Sequence, residues 1–265
     1  MKIRFDLFPQ GKTKALTMSY DDGQIFDRKL VNIFNKYGIK GTFHLNSGTF
    51  GREPFINAEE VAELYKGHEV SVHTVTHPFL DCIPVEEVVK EIIEDRKNLE
   101  TLVGYPIKGM SYPFGGFNDK IVETLKILGM EYSRTVISHH DFRMPENFLT
   151  WPATCHHSDN LIETGKRFLE YDYKGKLKLM YVWGHSFEFD RENNWDLIEE
   201  FCRLMSGRED IWYATNIEIV RYVKALRSLE FSANGEIVYN PSAISVWINV
   251  DDRSVEIKGG EIIRL

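Results

Sequence analysis

The chain has 265 residues, 43% of them apolar and 27% charged, and its 32 basic and 40 acidic side chains leave a net charge of −8. This is ordinary globular usage at a length that can bury a core without staples, and no Lys/Arg-rich block offers itself to nucleic acid. Cys82, Cys155 and Cys202 are odd in number and far apart, which suits a reducing compartment rather than a disulfide framework. The opening MKIRFDLFPQGKTK lacks a continuous apolar leader core, and no run approaches the ~20 apolar residues that span a bilayer. The expectation is a cytoplasmic chain with no membrane partner.

Strand-like and helix-like segments alternate from the start. KALTMSY (14–20) reads as a strand, and 27–37 as an amphipathic helix stopped by Gly38. KGTFHLN is the next strand, NAEEVAELYKG a helix with Asn57 as N-cap, and EVSVHTV a third strand. The longest helix follows over 85–104, then IKGMSYPFG, a helix over 118–129, and MEYSRTV. Residues 138–157 read as an irregular connection. A helix around 159–170, strand LKLMYVWGH, helix 195–206, strand IWYATN and helix 217–226 complete about seven β-then-α units, the rhythm of a parallel sheet with crossover helices. From about Ser228 the pattern turns to period-two runs with turn signals at Asn234-Gly235, Asn240-Pro241 and Gly259-Gly260. The chain therefore divides into a main domain, 1–227, and a small β extension, 228–265, too short to fold alone and expected to dock on it.

In parallel α/β folds ligands gather at the carboxyl ends of strands, and the polar residues fall there. Asp21-Asp22 follows the first strand, His73 and His77 the third, Pro113-Phe114-Gly115 the fourth, and His185 ends the sixth. Two adjacent carboxylates repel. His73 and His77, four apart, are expected on one face of a helical turn, where they offer two nitrogens to one metal. One carboxylate of the pair would complete a two-His, one-carboxylate set suited to zinc, cobalt, manganese or ferrous iron, leaving the other free as a base. Read alone, the histidines equally suit a surface pair, Asp-Asp-Gly a turn, and His185 a core position. His44 reads as interior packing; His68, His139 and His140 as loop or surface; His156 and His157 stay open. No G-x-S-x-G, H-E-x-x-H, Walker or G-x-G-x-x-G motif is present.

Taken in order, these residues resemble the polysaccharide deacetylase family (NodB-homology, carbohydrate esterase family four) from residue 14 to about 226. SYDDG resembles its first motif, T-F-D-D-G; HTVTH its second; SYPFG the third, R-x-P-[YF]-G; and VWGHS the last. The resemblance implies an α/β fold, a distorted (β/α)7 barrel, with one divalent metal, zinc foremost, held by Asp22, His73 and His77. It implies Asp21 as general base, His185 as general acid, and the Phe114 backbone N–H as an oxyanion donor. The implied activity is removal of an acetyl group from an N-acetylated amino sugar by attack of a metal-activated water. The alternatives are hydrolysis of a non-sugar amide or an O-acetyl ester, or a non-catalytic sugar-binding barrel. Two departures stand out. Ser111 occupies the place of the third-motif arginine, for which Arg134 is the candidate replacement. The residue that orients His185 has no clean counterpart, Asp159 and His156 being the nearest. Tyr112, Phe114, Trp151, Trp183 and Phe187 are candidate sugar-stacking aromatics.

Overall fold

The run Lys14–Asp21 shows how the sequence builds its frame, because its alternate residues meet different chemistry. Leu16, Met18 and Tyr20 join the larger apolar cluster beneath the helices, whereas Thr17, Ser19 and Asp21 are buried among polar groups on the other face. Both faces are covered, so the strand reads as one buried run. The computed structural model describes residues 1–265. It begins with β1 (Ile3–Arg4), β2 (Lys14–Asp21), α1 (Asp27–Tyr37), β3 (Gly41–Leu45) and α2 (Val61–Leu64). Next come β4 (Glu69–Val72), α3 (Val85–Val103), β5 (Gly109–Ser111), α4 (Asp119–Ile127) and β6 (Tyr132–Ser138). Short strands β7 (Trp151–Ala153) and β8 (Cys155–His156) precede α5 (Leu161–Glu170), β9 (Lys178–His185), α6 (Ser186–Arg191), α7 (Trp195–Met205), β10 (Ile211–Tyr213) and α8 (Asn216–Arg227).

The parallel ladder runs from β2 through β3, β4, β5 and β6 to β7, steps across Thr154 to β8, and returns through β9 to β2. Strand β10 pairs with β2 at Lys14–Leu16, below the part of that edge taken by β3. The architecture is α/β, consistent with the expected distorted (β/α)7 barrel. Two stretches differ from the sequence reading. The stretch expected to be an irregular connection supplies β7 and β8, whose pieces of three and two residues, interrupted by Thr154, carry no readable period. Helix α6, directly after His185, was also not expected; at 6 residues it is too short for a helical period.

Helix α8 crosses the end of the barrel opposite the carboxyl ends of the strands. Its Val220, Tyr222, Val223 and Leu226 share a buried cluster with Ala15, Tyr132, Trp151 and Leu179, residues from the amino-terminal halves of their strands. Asn216, fully buried, has its carboxamide oxygen accept from Thr17 Oγ1 at 2.8 Å and donates to the Tyr181 hydroxyl at 2.6 Å. The last strands, β11 (Glu230–Phe231), β12 (Ile237–Tyr239), β13 (Val246–Val250), β14 (Arg253–Ile257) and β15 (Ile262–Arg264), pack below α8. Strand β13 pairs antiparallel with β1, so the first residues of the chain join this extension.

Glu69 is buried at this floor and accepts from Thr42 Oγ1 (3.1 Å), the Tyr132 hydroxyl (2.7 Å) and the Ile217 amide (2.9 Å). Burial drives its carboxyl up to about 7 against those hydrogen bonds. The folded chain thus keeps this proton where the unfolded chain has released it. Its contribution to stability is present below the unfolded value near 4.5 and is lost as the pH rises through about 7. Thermal melts between pH 5 and pH 8 are expected to fall in the wild type and to fall less steeply in Glu69→Gln; parallel curves would remove Glu69 as the source.

Candidate metal and catalytic site

Six strand ends and loops converge at the mouth of the barrel. Asp21 closes β2 and is 3% exposed. Arg134, from β6 and fully buried, directs Nη2 at Asp21 Oδ2, and its guanidinium lies 4.3 Å over the Trp183 ring. Ser111 is the register partner of Arg134 across β5 and β6, so the cation stands one strand over from Ser111. The Ser111 hydroxyl donates to Asp21 Oδ1 at 3.2 Å. Burial alone would raise the Asp21 carboxyl, but the Arg134 guanidinium outweighs it, with His73 adding, and holds it well below the usual carboxylate range.

Asp22 turns away from β2 with φ 80°, and its Oδ1 faces His73 Nε2 at 3.6 Å and His77 Nε2 at 3.8 Å; the two imidazole nitrogens are 3.0 Å apart. The helical turn expected for this pair is absent. His73 follows β4 directly, and the chain bends back through Thr74 (φ 70°) and His77 (φ 57°), with the His77 amide donating to Thr74 Oγ1. Left-handed backbone at three non-glycine residues of one site is strain that surrounding contacts must hold. The holding groups are visible. Asn46 donates from Nδ2 to the carbonyls of His73 and Thr74, while Asp95 of α3 accepts from the amides of Ser47 (2.7 Å) and His73 (3.0 Å). Gly48 lies so close that a Cβ there would meet the Val75 carbonyl oxygen at 2.4 Å.

His73 Nδ1 lies 3.0 Å from the Ser111 carbonyl and 2.7 Å from its hydroxyl. Donation to the carbonyl leaves the Nε2 lone pair facing Asp22, the tautomer a metal ligand needs. Burial, partly opposed by Asp21, pushes His73 down to about 3, so the imidazole is neutral. A carboxylate and two imidazoles with donor atoms 3.0–3.8 Å apart form a set that one divalent cation fits.

His185 ends β9 in register with Asp21 of β2, with Nε2 4.0 Å from Asp22 Oδ2. Phe114 has φ 55° and is 55% exposed. Its ring stacks on Phe79 (centroids 3.9 Å) and meets the edge of His77 (4.4 Å), and the loop's other amides, Gly115 and Gly116, bond within the turn. Of the aromatics considered for stacking, Tyr112 and Trp151 are 1% exposed and face the core, while Trp183 and Phe187 are half-buried near the mouth. His44, fully buried, bonds Ser19 Oγ inside the barrel, and His68 takes the Gly41 amide on Nδ1.

Residues 9–133 match the family model described as polysaccharide deacetylase. That match covers just under half of the chain. A Listeria monocytogenes protein, peptidoglycan-N-acetylglucosamine deacetylase PgdA, is 25% identical over 128 residues, covering 47% of this chain and 27% of its own. The chain thus spans about a quarter of that relative's length. The putative polysaccharide deacetylase from Mycobacterium smegmatis superposes with a TM-score of 0.63 at 19% identity, covering 83% of this chain and 93% of its own. Peptidoglycan deacetylase PdaC from Bacillus subtilis gives 0.54 at 19%, over 81% and 93%. These two likenesses bear on the fold.

One polar group near this site was not singled out from sequence. Glu188, in the first turn of α6, accepts from the His185 amide at 3.0 Å, and its Oε2 also lies 3.3 Å from His185 Nδ1. The signal was available: His-Ser-Phe-Glu has the x-x-x-Glu spacing by which an N3 carboxylate reaches back to the residue before a helix. Asp159, one earlier candidate for orienting His185, instead accepts from the His156 amide at 3.2 Å.

Proposed function

We propose that this chain is a metal-dependent deacetylase acting on N-acetylated amino sugars, of the kind found in peptidoglycan or chitin. The observation that carries this reading is the different engagement of two adjacent carboxylates. Asp22 faces both His73 and His77, while Asp21, one residue earlier, is bonded by Arg134 and Ser111 and approaches only His73, at 3.8 Å. Asp22, His73 and His77 would hold the cation, and the donor set suits zinc, cobalt, manganese or ferrous iron. When bound, such an ion supplies Lewis-acid polarisation of a water and of the acetyl carbonyl.

The chain's own groups divide the remaining work. Asp21, kept ionised and fixed at both oxygens, takes the proton of the attacking water. The Phe114 amide, at an exposed left-handed position, donates to the oxygen on which charge develops; a single such donor is worth ~3 kcal/mol. His185 gives its Nε2 proton to the departing amine. Burial works against charge on this imidazole, but Glu188, Asp21 and Asp22 outweigh it and raise it above its ordinary value. Base and acid end adjacent strands, β2 and β9, so proton removal and delivery occur at different side chains.

The test is the purified chain, stripped with a chelator, reloaded with zinc and given N-acetylated chito-oligosaccharides. One ion per chain, acetate release, loss on chelation and return on reloading are expected. One bound ion with no acetate from any N- or O-acetylated sugar sinks the reading and favours the non-catalytic barrel.

A further inference from the structure

A second group of metal-type donors lies behind the acid. Glu188 Oε2 is 3.1 Å from His156 Nε2, 3.3 Å from His157 Nε2 and 3.3 Å from His185 Nδ1. One carboxylate oxygen amid three imidazoles admits two readings: a second cation site, or a hydrogen-bond relay. The surroundings of His156 decide between them. The Ser158 amide points at His156 Nδ1 at 3.2 Å, and Ser158 Oγ is 2.8 Å away. A backbone N–H can only donate, so Nδ1 is the acceptor and Nε2 carries the proton. A ring whose Nε2 carries a proton toward Glu188 donates to it and has no lone pair there for an ion. His157 is fixed differently, with its ring between Phe189 (4.1 Å) and Tyr20 (5.8 Å) and its buried Nδ1 without a partner, where a bound ligand ring would ordinarily donate. His185 Nδ1 is likewise buried with no hydrogen bond formed, and Glu188 Oε2 lies 3.3 Å from it.

We propose that Glu188 is the positioning carboxylate of His185, placed on the acid's own helix, and that His156 clamps Glu188 through an Nε2–H hydrogen bond. This rests on the reading of His185 as the acid. The Glu188 carboxylate turns Nδ1 of His185 toward itself and so aims Nε2 at the mouth, where Asp22 lies. It also favours the charged imidazole, while the His185 amide bond ties the carboxylate to the start of α6. The charged or titratable groups facing this pair are Asp21 and Asp22 at the end of β2, His156 and His157 at β8, and Arg191 on α6, 3.8 Å from Glu188 Oε1.

Glu188→Gln tests the proposal, because Gln retains the acceptor for the His185 amide and removes the charge. Zinc-loaded protein labelled with 15N-histidine is expected to show His185 titrating about one unit lower in the variant. In turnover, kcat is expected to fall about 100-fold with KM within about twofold, and the alkaline limb of the rate profile to move to lower pH. Glu188→Asp should recover about tenfold over Gln, and His156→Gln should shift His185 the same way by less. The histidine titration needs no substrate, so it separates failure of this relay from failure of the deacetylase reading. An unchanged His185 titration in Glu188→Gln overturns the proposal. So does a second zinc ion per chain that is lost in His156→Gln, which would make Glu188 a ligand.

Discussion

Replacing Asp21 with Asn is expected to lower kcat for acetate release by about 1,000-fold or more while one divalent cation stays bound. The asymmetry follows from the contacts. Asp21 spends both oxygens on Arg134 and Ser111, whereas Asp22 faces the two imidazoles, so the substitution removes the proposed proton acceptor and leaves the proposed ligand trio in place. Asn has nearly the same shape and can still accept from Ser111, but it cannot take a proton from water. Zinc binding measured by titration should match the wild type, and acetate release should not. A variant keeping a tenth of the activity would move the base elsewhere; one that loses zinc would make Asp21 a ligand.

Replacing Arg134 with Met is expected to have the largest effect on stability. The guanidinium is fully buried and is the cation that offsets the buried Asp21 carboxylate. Removing one member of such a pair leaves the other charged in a poor solvent, at a cost of about 3–5 kcal/mol. With Arg134 present, the depressed Asp21 carboxyl contributes stability above its unfolded value near 4 and loses it as the pH falls. Without Arg134, burial prevails and raises Asp21. The penalty should therefore be full at neutral pH and shrink as the pH drops through about 4. Urea melts of Arg134→Met, Asp21→Asn and the double variant should show the double recovering much of the loss. Strict additivity would mean that the two side chains do not depend on each other. Turnover should fall far more than substrate binding in Arg134→Met, because a raised Asp21 is less often ionised.

The legible parts of this molecule were those where one residue type has one use. Gly38 stops α1, Asn57 caps the turn that leads into α2, and Asp-Asp-Gly with His-x-x-x-His marks two strand ends. Arg134 could be singled out because a buried position on a strand beside Ser111 leaves few cations to choose from. The parts that stayed hidden depend on contacts distant in sequence or on conformations no residue type announces. The bend at Thr74 and His77 is imposed by Asn46 and Asp95, 27 and 22 residues from His73, and nothing in HTVTH itself signals a loop instead of a helix. The closing strands β7 and β8 are too short to carry a period, and their pairing partners set them. Glu188 was overlooked because α6 was overlooked: without the helix, a Glu three residues after a His has no reason to face it.

The antiparallel pairing of β1 with β13 has a practical side. Lys2 N bonds Asp251, and the Leu265 amide bonds Glu236, so residues 2 and 265 both lie among the strands that cover the barrel floor. A purification tag, a bead linkage or a surface tether fused to either end would hang from the underside and leave Asp22 and Phe114 pointing outward. Immobilised protein should accordingly work on insoluble particles about as freely as protein in solution.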